Sequence, residues 1–313
     1  MHMADALISP QVGAVMWTAT VATGAYCIKK IQVDERQGPV ALAGILGAFV
    51  FAAQMINFSI PGTGSSGHIG GGLLLAILLG PYLAFLTMAA ILLIQALFFA
   101  DGGLLSYGCN VFNLAFYTCF IAYPFIYTPL AKKGRANKSA IILAAVVGLQ
   151  MGAFSVVLET LFSGKTELPF STFVLLMQPI HLAIGLVEGL ITAAIIAFVE
   201  KGAPQLFSLT IEPAEQGNKT RAMQRLMAVF VVATLVTGGI LSWFASSNPD
   251  GLEWSIERVT GTTELEGTSP VHEKFSAVQT AIAPLPDYSF KNRDESADNN
   301  LLAFAGTSVS GIV

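Results

Sequence analysis

Two of the four histidines in this 313-residue chain stand where they can bind a metal ion. His2 directly follows Met1, and a terminal Met-His can chelate a metal through the α-amine, the deprotonated His2 amide nitrogen and the His2 imidazole. The amine and the amide nitrogen close one small ring, and the amide nitrogen and Nδ1 close a second, so the three nitrogens are roughly coplanar. One further nitrogen completes a square plane, the geometry that suits nickel(II) or copper(II).

His68 is the natural fourth ligand of such a chelate. It lies in segment 62–72, where six of eleven residues are glycines that allow tight turns and close approach of the backbone. Two ordinary interpretations stay open beside the metal site. A second-position histidine is commonly an exposed terminal residue, and a glycine-rich loop is commonly a turn. The occurrence of both features in one chain with few histidines supports a metal site more than either feature alone.

A second group of polar residues falls inside the apolar segment 170–199. Gln178, His181 and Glu188 are spaced by three and seven residues and therefore share one helix face. Ionisable groups within a membrane are costly and often functional, so His181 and Glu188 can support the metal site or an ion path. A hydrogen-bond network that locks helix packing is the favoured interpretation. Glu159, near the outer end of the preceding segment, is expected at the membrane interface.

A further polar interruption covers segment 95–113. Asp101, followed by two glycines, predicts a turn on the outside of the membrane. Asn110 and Asn113 are expected to hydrogen-bond between helices or to support the metal loop, and Asp5 can orient a ligand. The candidate supporting residues of the metal site are Asp5, Asn57, Ser66, Asn110, Asn113, His181 and Glu188.

Other kinds of chemistry find no support in the sequence. Gly164-Lys165-Thr166 resembles the end of a phosphate-binding loop, but Glu159 replaces the glycine required five residues before the Gly-Lys pair. No H-E-x-x-H, G-x-S-x-G or complete Walker motif is present. A four-nitrogen metal site also leaves no open coordination position for catalysis. We therefore expect that the protein is not an enzyme.

The elements that must position these residues are membrane-spanning helices. The chain is 54% hydrophobic and 12% charged, with a mean hydropathy of +0.66, which excludes intrinsic disorder and argues against a water-soluble globule. A net charge of −4 without a basic tract excludes a nucleic-acid partner. A spanning helix needs about 20 mostly apolar residues. Long uncharged stretches occur at 10–28, 39–58, 70–100, 107–131, 140–162, 170–199 and 226–245.

The stretch 70–100 is too long for one span and is interrupted at Gly80-Pro81. We therefore predict an all-α, polytopic membrane bundle with seven spans up to residue 199 and an eighth at 226–245. The three cysteines fall in apolar segments without C-x-x-C spacing and are expected to be small buried side chains.

The distribution of lysine and arginine favours an N-terminus on the outside. With that orientation the predicted cytosolic loops carry 11 of the 16 basic residues, whereas the outside loops before residue 246 carry only Lys165. The first ten residues lack the basic and apolar regions of a cleaved signal peptide, so we expect a mature, exposed N-terminus. Met1 and His68 then lie on the same face of the membrane.

The composition changes near residue 246, because residues 247–313 contain ten acidic and four basic residues. We divide the chain into a metal-binding membrane domain (1–205), a cytosolic linker (206–224) and an appended domain (225–313). The appended domain has one predicted span and an extracytoplasmic tail. Its last apolar run, 301–313, is too short to span and is expected to be an incomplete ninth span.

Four segments carry a resemblance to a known family. The sequences MHMADAL (1–7), SGHIGG (66–71), QALFFADGG (95–103) and HLAIGLVEGLIT (181–192) resemble the CbiM/NikM family. These proteins are the substrate-capture (S) subunits of energy-coupling factor transporters for nickel and cobalt. The resemblance covers about residues 1–200, and PDGLEWS (249–255) is similar to the PDGLE module of the CbiN/NikN-like auxiliary proteins. The whole chain thus looks like a fusion of the two.

The resemblance implies that the metal is held by the Met1 amine, the His2 backbone and side-chain nitrogens, and the His68 side chain, in agreement with the chelate. Nickel(II) or cobalt(II) is then the transported substrate, and no permanent cofactor is implied. The resemblance also implies a transmembrane T subunit similar to CbiQ/NikQ, a pair of cytosolic ATPases similar to CbiO/NikO, and the plasma membrane of a prokaryote.

Several alternatives stay open. A square-planar nitrogen site and the fusion of the two parts favour nickel over cobalt, but a cobalt-specific protein that feeds cobalamin synthesis remains an alternative. An ATPase-independent permease is another, and it would predict inverted repeats or an acidic path across the bilayer. Ala14, Thr18 and Ala22 are four residues apart and can form a close-packing face for a T subunit, although most such faces pack internally.

Overall fold

A computed structural model describes residues 2–33, 40–131, 134, 136–204, 218–267, 269–290, 307 and 309–310. Met1, most of the predicted linker 206–224 and most of the run 301–313 lie outside the described residues. The helices are α1 (Pro10–Val33), α2 (Val40–Gln54), α3 (Gly72–Leu79), α4 (Pro81–Phe98), α5 (Tyr107–Leu130), α6 (Lys138–Phe162), α7 (Phe170–Gly202), α8 (Asn218–Gly239), α9 (Gly251–Thr260) and α10 (Pro270–Ile282). The prediction of a helical membrane bundle is confirmed.

In the part of the chain that the structure describes, four helices, α4 to α7, are long and apolar enough to cross a membrane. The apolar α2 and the apolar part of α8 are shorter. Helix α3 has eight residues and rises only about 12 Å, so it cannot cross a hydrocarbon core of about 30 Å alone. The count of seven spans plus one therefore stays a prediction.

The break between α3 and α4 lies where the sequence places it. Gly80 has a φ of +80°, a left-handed conformation that glycine adopts without steric cost. Pro81 then begins α4 at a position where its missing N–H is not needed. Helix α3 is buried along nearly its whole length and forms part of the bundle interior.

The rest of the core forms around α5, α6 and α7. Helix α6 packs along α7 and also contacts α5. Within α5, residues Phe112–Tyr127 have π-helical hydrogen bonding and contain Pro124. The three cysteines are buried and free, as predicted. This packing fixes the buried face of α7, which carries His181 and Glu188.

A short hairpin is the exception to the helical pattern. Strand β1 (Phe58–Ile60) pairs antiparallel with β2 (Ser65–Gly67), with Phe58 opposite Gly67. The chain then runs through residues 68–71 into α3. His68 therefore lies directly after the hairpin, at the entry to the bundle.

Helix α8 begins within the predicted linker, continues into the predicted appended domain and packs against α2. A 3-10 turn at Leu241–Phe244 follows, and α9 and α10 lie beyond it. Helix α9 begins with a capping box, in which the Asp250 side chain accepts from the Glu253 N–H and the Glu253 side chain accepts from the Asp250 N–H. Residues 246–290, called the outer segment below, contact the loops that carry the predicted metal ligands.

Candidate metal site

The first residues of the chain are held by backbone hydrogen bonds. The Met3 N–H donates to Asn110 Oδ1 at 2.7 Å, and the Met3 carbonyl accepts from Asn110 Nδ2 at 3.1 Å and from the Gly103 N–H at 2.9 Å. Asp5 Oδ1 accepts from the Ser106 N–H at 2.9 Å. These bonds hold the backbone of the residues that follow His2. Asn110 and Asp5, two of the candidate supporting residues, therefore hold the N-terminal segment in the structure.

The loop that carries His68 is held from inside the bundle. Glu188, near the middle of the 33-residue α7, accepts from the Gly70 N–H at 2.8 Å and from the Gly71 N–H at 3.0 Å. Gln54 Nε2 donates to the Gly70 carbonyl at 2.8 Å. Glu188 therefore positions the backbone two and three residues after His68.

The side chain of His2 in the N-terminal segment contacts the side chain of His68 in its loop. Their rings are stacked, with centroids 5.1 Å apart and planes within 9°. His2 Nδ1 lies 3.1 Å from Asp101 Oδ1, and the His2 side chain is only 8% exposed. Within the described part of the chain, the buried His2 Nε2 has no hydrogen-bond partner. The structure thus brings together two predicted ligands that are far apart in the sequence.

The electrostatic surroundings favour a neutral His68. Burial lowers the pKa of His68 to about 3, although the Asp250 carboxylate opposes the fall. Its Nδ1 lies 3.0 Å from the Ile69 carbonyl, which can only accept, so Nδ1 carries the proton and Nε2 has the free lone pair. A neutral imidazole is the form that binds metal ions.

Asp101 joins the two domains at this site. Its Oδ1 faces His2, and its Oδ2 accepts from the Tyr288 hydroxyl of the outer segment at 2.5 Å. Burial acts to raise the pKa of Asp101, but His2 and the Tyr288 hydroxyl outweigh burial and hold the pKa well below its usual range. Asp101 is therefore an ionised partner for the His2 ring.

Among the described residues, no group of three or more His, Cys, Asp or Glu side chains is arranged to hold a metal ion. This finding does not conflict with a terminal chelate, because two of its four nitrogens belong to the backbone. One of those two is the amine of Met1, which lies outside the described residues.

His181 and Glu188 are both buried, but only Glu188 bonds to the metal loop. His181 Nδ1 bonds the Met177 carbonyl of its own helix at 2.8 Å, while Nε2 has no partner among the described residues. Gln178 points elsewhere, since it exchanges hydrogen bonds with Gln150 of α6.

The interfacial position expected for Glu159 is wrong. Glu159 is 4% exposed, and its Oε2 accepts from Asn113 Nδ2 at 2.8 Å. Asn113 also lies 3.7 Å from the Met3 sulfur. A polar partner at the right depth allows a carboxyl group near the end of an apolar segment to face the interior, and hydropathy alone does not reveal that partner.

Ser66 and Asn57 bind the outer segment rather than the histidines. The Ser66 N–H donates to the Pro249 carbonyl at 2.8 Å, and its hydroxyl donates to the Asn248 carbonyl at 2.8 Å. The Asn57 carbonyl accepts from the Ser246 N–H at 2.7 Å. Both residues therefore join the hairpin to the appended domain.

The outer segment lies over the two metal loops. His272 Nε2 bonds the Ile8 carbonyl at 2.9 Å, Trp254 Nε1 donates to the Thr63 carbonyl at 3.0 Å, and Gln279 Nε2 donates to the Gly102 carbonyl at 2.7 Å. Between the domains remains a cleft of about 760 Å³ that is lined by His2, His68, Asp101 and Asp250, among others. The histidine pair therefore lines a cleft covered by the appended domain.

The comparisons with known proteins identify the family. The sequence model of the CbiM family, described as "Cobalt uptake substrate-specific transmembrane region", matches residues 2–206. The chain belongs to this family. The model of the PDGLE domain matches residues 224–313. Together the two matches support the fusion that the sequence resemblance predicted.

Relatives with the same two-part organisation are similar over nearly the whole chain. A protein of Archaeoglobus fulgidus, provisionally named a fused nickel transport protein, NikMN, is 30% identical over 100% of this chain and 94% of its own length. The fused nickel transport protein NikMN of Rhodobacter capsulatus is 30% identical over 92% of this chain and 88% of its own length. As a family member with such relatives, the chain is a transport protein and not an enzyme.

A solved structure supports the fold of the core. The crystal structure of a transition metal transporter is 29% identical, with a TM-score of 0.58, and covers 67% of this chain and 98% of that protein. The share of this chain that it covers is close to the share that the CbiM model matches.

Sequence reasoning missed three contributors to the site. Asp101 was assigned to a turn, Gln54 was not singled out, and Asp250 was noted only as part of the PDGLE motif. The quoted motifs at 95–103 and 249–255 contained two of them. Their roles depend on contacts between separate segments of the chain, for which a single sequence gives no signal.

Proposed function

We propose that the chain captures nickel(II) at its outside-facing N-terminus, as the substrate-binding component of an ATP-driven energy-coupling factor importer. The meeting of His2 and His68 in one cleft is the observation that carries the proposal. The Met1 amine, the His2 amide and imidazole nitrogens, and His68 would supply the square plane.

The contact between His2 and Asp101 gives Asp101 a defined part in capture. Chelation would use His2 Nδ1, the atom that faces Asp101 in the structure. With Nδ1 bound to the metal, the Nε2–H would be the group that donates to Asp101. A carboxylate on the other ring nitrogen fixes the tautomer and orients the ligand.

Nickel is the preferred cargo for two reasons. Four nitrogens in a plane favour nickel(II) over cobalt(II), and the two fused relatives are named as nickel transport proteins. A cobalt-specific protein that feeds cobalamin synthesis would use the same residues. Either ion is a substrate, with no permanent cofactor.

Energy coupling requires other chains, because this sequence has no complete Walker motif. We assign the coupling to a CbiQ/NikQ-like T subunit and CbiO/NikO-like cytosolic ATPases in a prokaryotic plasma membrane. The domain division at 1–205, 206–224 and 225–313 belongs to the same proposal. Ala14, Thr18 and Ala22 are exposed on α1 and offer a surface for the T subunit.

Calorimetric titration of the purified protein with nickel tests the capture site. We expect His2→Ala to abolish tight binding, while Met3→Leu at the neighbouring buried position preserves it. Tight binding in both variants would contradict the assignment. Cobalt titrated in parallel tests the choice of metal, since tighter cobalt than nickel binding would reverse it.

Radioactive nickel uptake by cells separates the importer from an ATPase-independent permease. Cells that express this chain with its T and ATPase partners should accumulate nickel, whereas cells with a hydrolysis-deficient ATPase should not. Equal uptake in both, or full uptake by this chain alone, would favour the permease.

A further inference from the structure

The walls of the cleft above the histidines have one sign of charge. Seven acidic side chains line it, and no lysine or arginine of the described residues does so. Asp5 and Asp101 come from the core. The outer segment supplies Asp250, Glu253, Glu264, Glu273 and Asp287. A cleft lined by negative charge concentrates cations and raises their rate of association.

Asp250 of the outer segment lies on two cavities that contain proposed ligands. It lines the large cleft with His2 and His68, and it also lines a second, small cavity with His68 and His181. The His2 side chain lines the same cleft, and within the described part of the chain its buried Nε2 has no hydrogen-bond partner.

The backbone on both sides of Asp250 is held against the core. The Pro249 carbonyl accepts from the Ser66 N–H, two residues before His68. On the other side, Gly251 packs so tightly on α7 that a Cβ there would lie 2.6 Å from Ile180 Cγ2 and 3.2 Å from His181 Cε1. Side-chain Oδ1 accepts from the Leu252 and Glu253 N–H groups at 2.7 and 2.9 Å. These contacts fix the direction of the carboxylate.

We infer that Asp250 is a positioning residue for the metal, through which the appended domain attracts the incoming divalent cation to His68 and stabilises it there. The inference rests on the proposed capture function. In the proposed chelate, one amide nitrogen loses its proton to solvent and the other ligands stay neutral, so the metal complex keeps a net positive charge. A buried positive charge is stabilised by a nearby carboxylate.

The test compares neutral variants that keep the helix cap. Asp250→Asn and Asp250→Ser remove the charge, and both residues are good N-caps, so α9 should remain folded. We expect nickel affinity to fall about tenfold or more, as for other carboxylates behind a metal site. The association rate should fall with it and should become less sensitive to salt.

Glu257→Gln is the matched control, because Glu257 is an exposed carboxylate of the same helix outside the cleft. Its nickel affinity should equal that of the unmodified protein. Unchanged affinity and association rate in the two Asp250 variants, or an equal loss in Glu257→Gln, would overturn the inference. His68→Ala distinguishes the failures, because nickel binding that survives it refutes the capture site itself.

Discussion

The pair His2 and His68 and the pair His181 and Glu188 are both ionisable, but they differ in the space beside them. His2 and His68 stack at a cleft, and His2 Nε2 is unpartnered among the described residues. His181 and Glu188 are each 1% exposed, and Glu188 has both oxygens bonded to backbone N–H groups. His181 Nε2 also has no partner among the described residues, but it lines a cavity of only about 10 Å³, whereas His2 and His68 line a cleft of about 760 Å³ that an ion can enter.

The comparison assigns different tasks to residues that a single sequence presents as similar. Ionisable residues inside a membrane are often functional, and Glu188 is functional here only through the loop that it holds. It contacts Gly70 and Gly71, which follow His68 closely. Variants that remove one pair or the other should therefore differ strongly in size of effect.

The largest difference is expected between His68→Ala and His181→Ala. Loss of His68 removes one of four ligands, so nickel binding should fall below detection by calorimetry. Loss of His181 removes a hydrogen bond within α7, so it should only weaken binding or lower the yield of folded protein. Loss of nickel binding in His181→Ala but not in His68→Ala would place the metal deeper in the bundle and would contradict the roles assigned to the two pairs.

Glu188→Gln should have an intermediate effect. Glutamine keeps one oxygen acceptor but turns an amide donor toward the second backbone N–H, which leaves a buried donor unsatisfied at a cost of about 1–3 kcal/mol. We expect nickel affinity to fall by roughly tenfold, together with a lower melting temperature in detergent. The control is Gln178→Ala on the same helix, because Gln178 bonds Gln150 and does not contact the loop that carries His68. Unaltered affinity in Glu188→Gln would show that the loop holds its place without this residue.

Asp101→Asn should have a smaller effect on nickel affinity, which it exerts through the orientation of the His2 imidazole. The amide keeps an oxygen that can bond either His2 or Tyr288, but it loses the charge that orients the imidazole. We expect nickel affinity to fall several-fold, toward the lower end of the range seen for such partners. Tyr288→Phe removes the other bond of Asp101 and should change affinity less. Equal losses in the two variants would mean that Asp101 acts by joining the domains.

The sequence was sufficient for the parts of the fold that depend on local chemistry. Gly80-Pro81 marks the break between α3 and α4 because its conformation and missing donor act locally. The pairing of His2 with His68 could be predicted from the sequence, because both residues lie outside the predicted spans on one predicted face of the membrane. Hydropathy locates a helix along the chain but does not fix its rotation or its partners. Glu159 therefore turned out to face Asn113.

The contacts of the outer segment were beyond sequence reasoning. The Ser66–Pro249 and Tyr288–Asp101 bonds join residues more than 180 positions apart. They depend on how two surfaces that are distant in the sequence fit together, and no period or composition in either segment encodes that fit. The polar composition of residues 247–313 instead suggested only an exposed tail.

The most direct test of the terminal chelate is the metal content and visible absorption of the protein with two leucines inserted between Met1 and His2. The insertion moves the histidine to the fourth position, where the α-amine, one amide nitrogen and Nδ1 can no longer close two adjoining rings. A single inserted residue would not serve, because a histidine in the third position forms a square plane with the amine and two amide nitrogens. Two leucines inserted between Gly164 and Lys165, in an exposed loop, are the matched control. We predict about one nickel per chain and a yellow square-planar spectrum in the native and control proteins, and neither in the terminal insertion. Equal nickel content and the same spectrum in the terminal insertion would contradict the account.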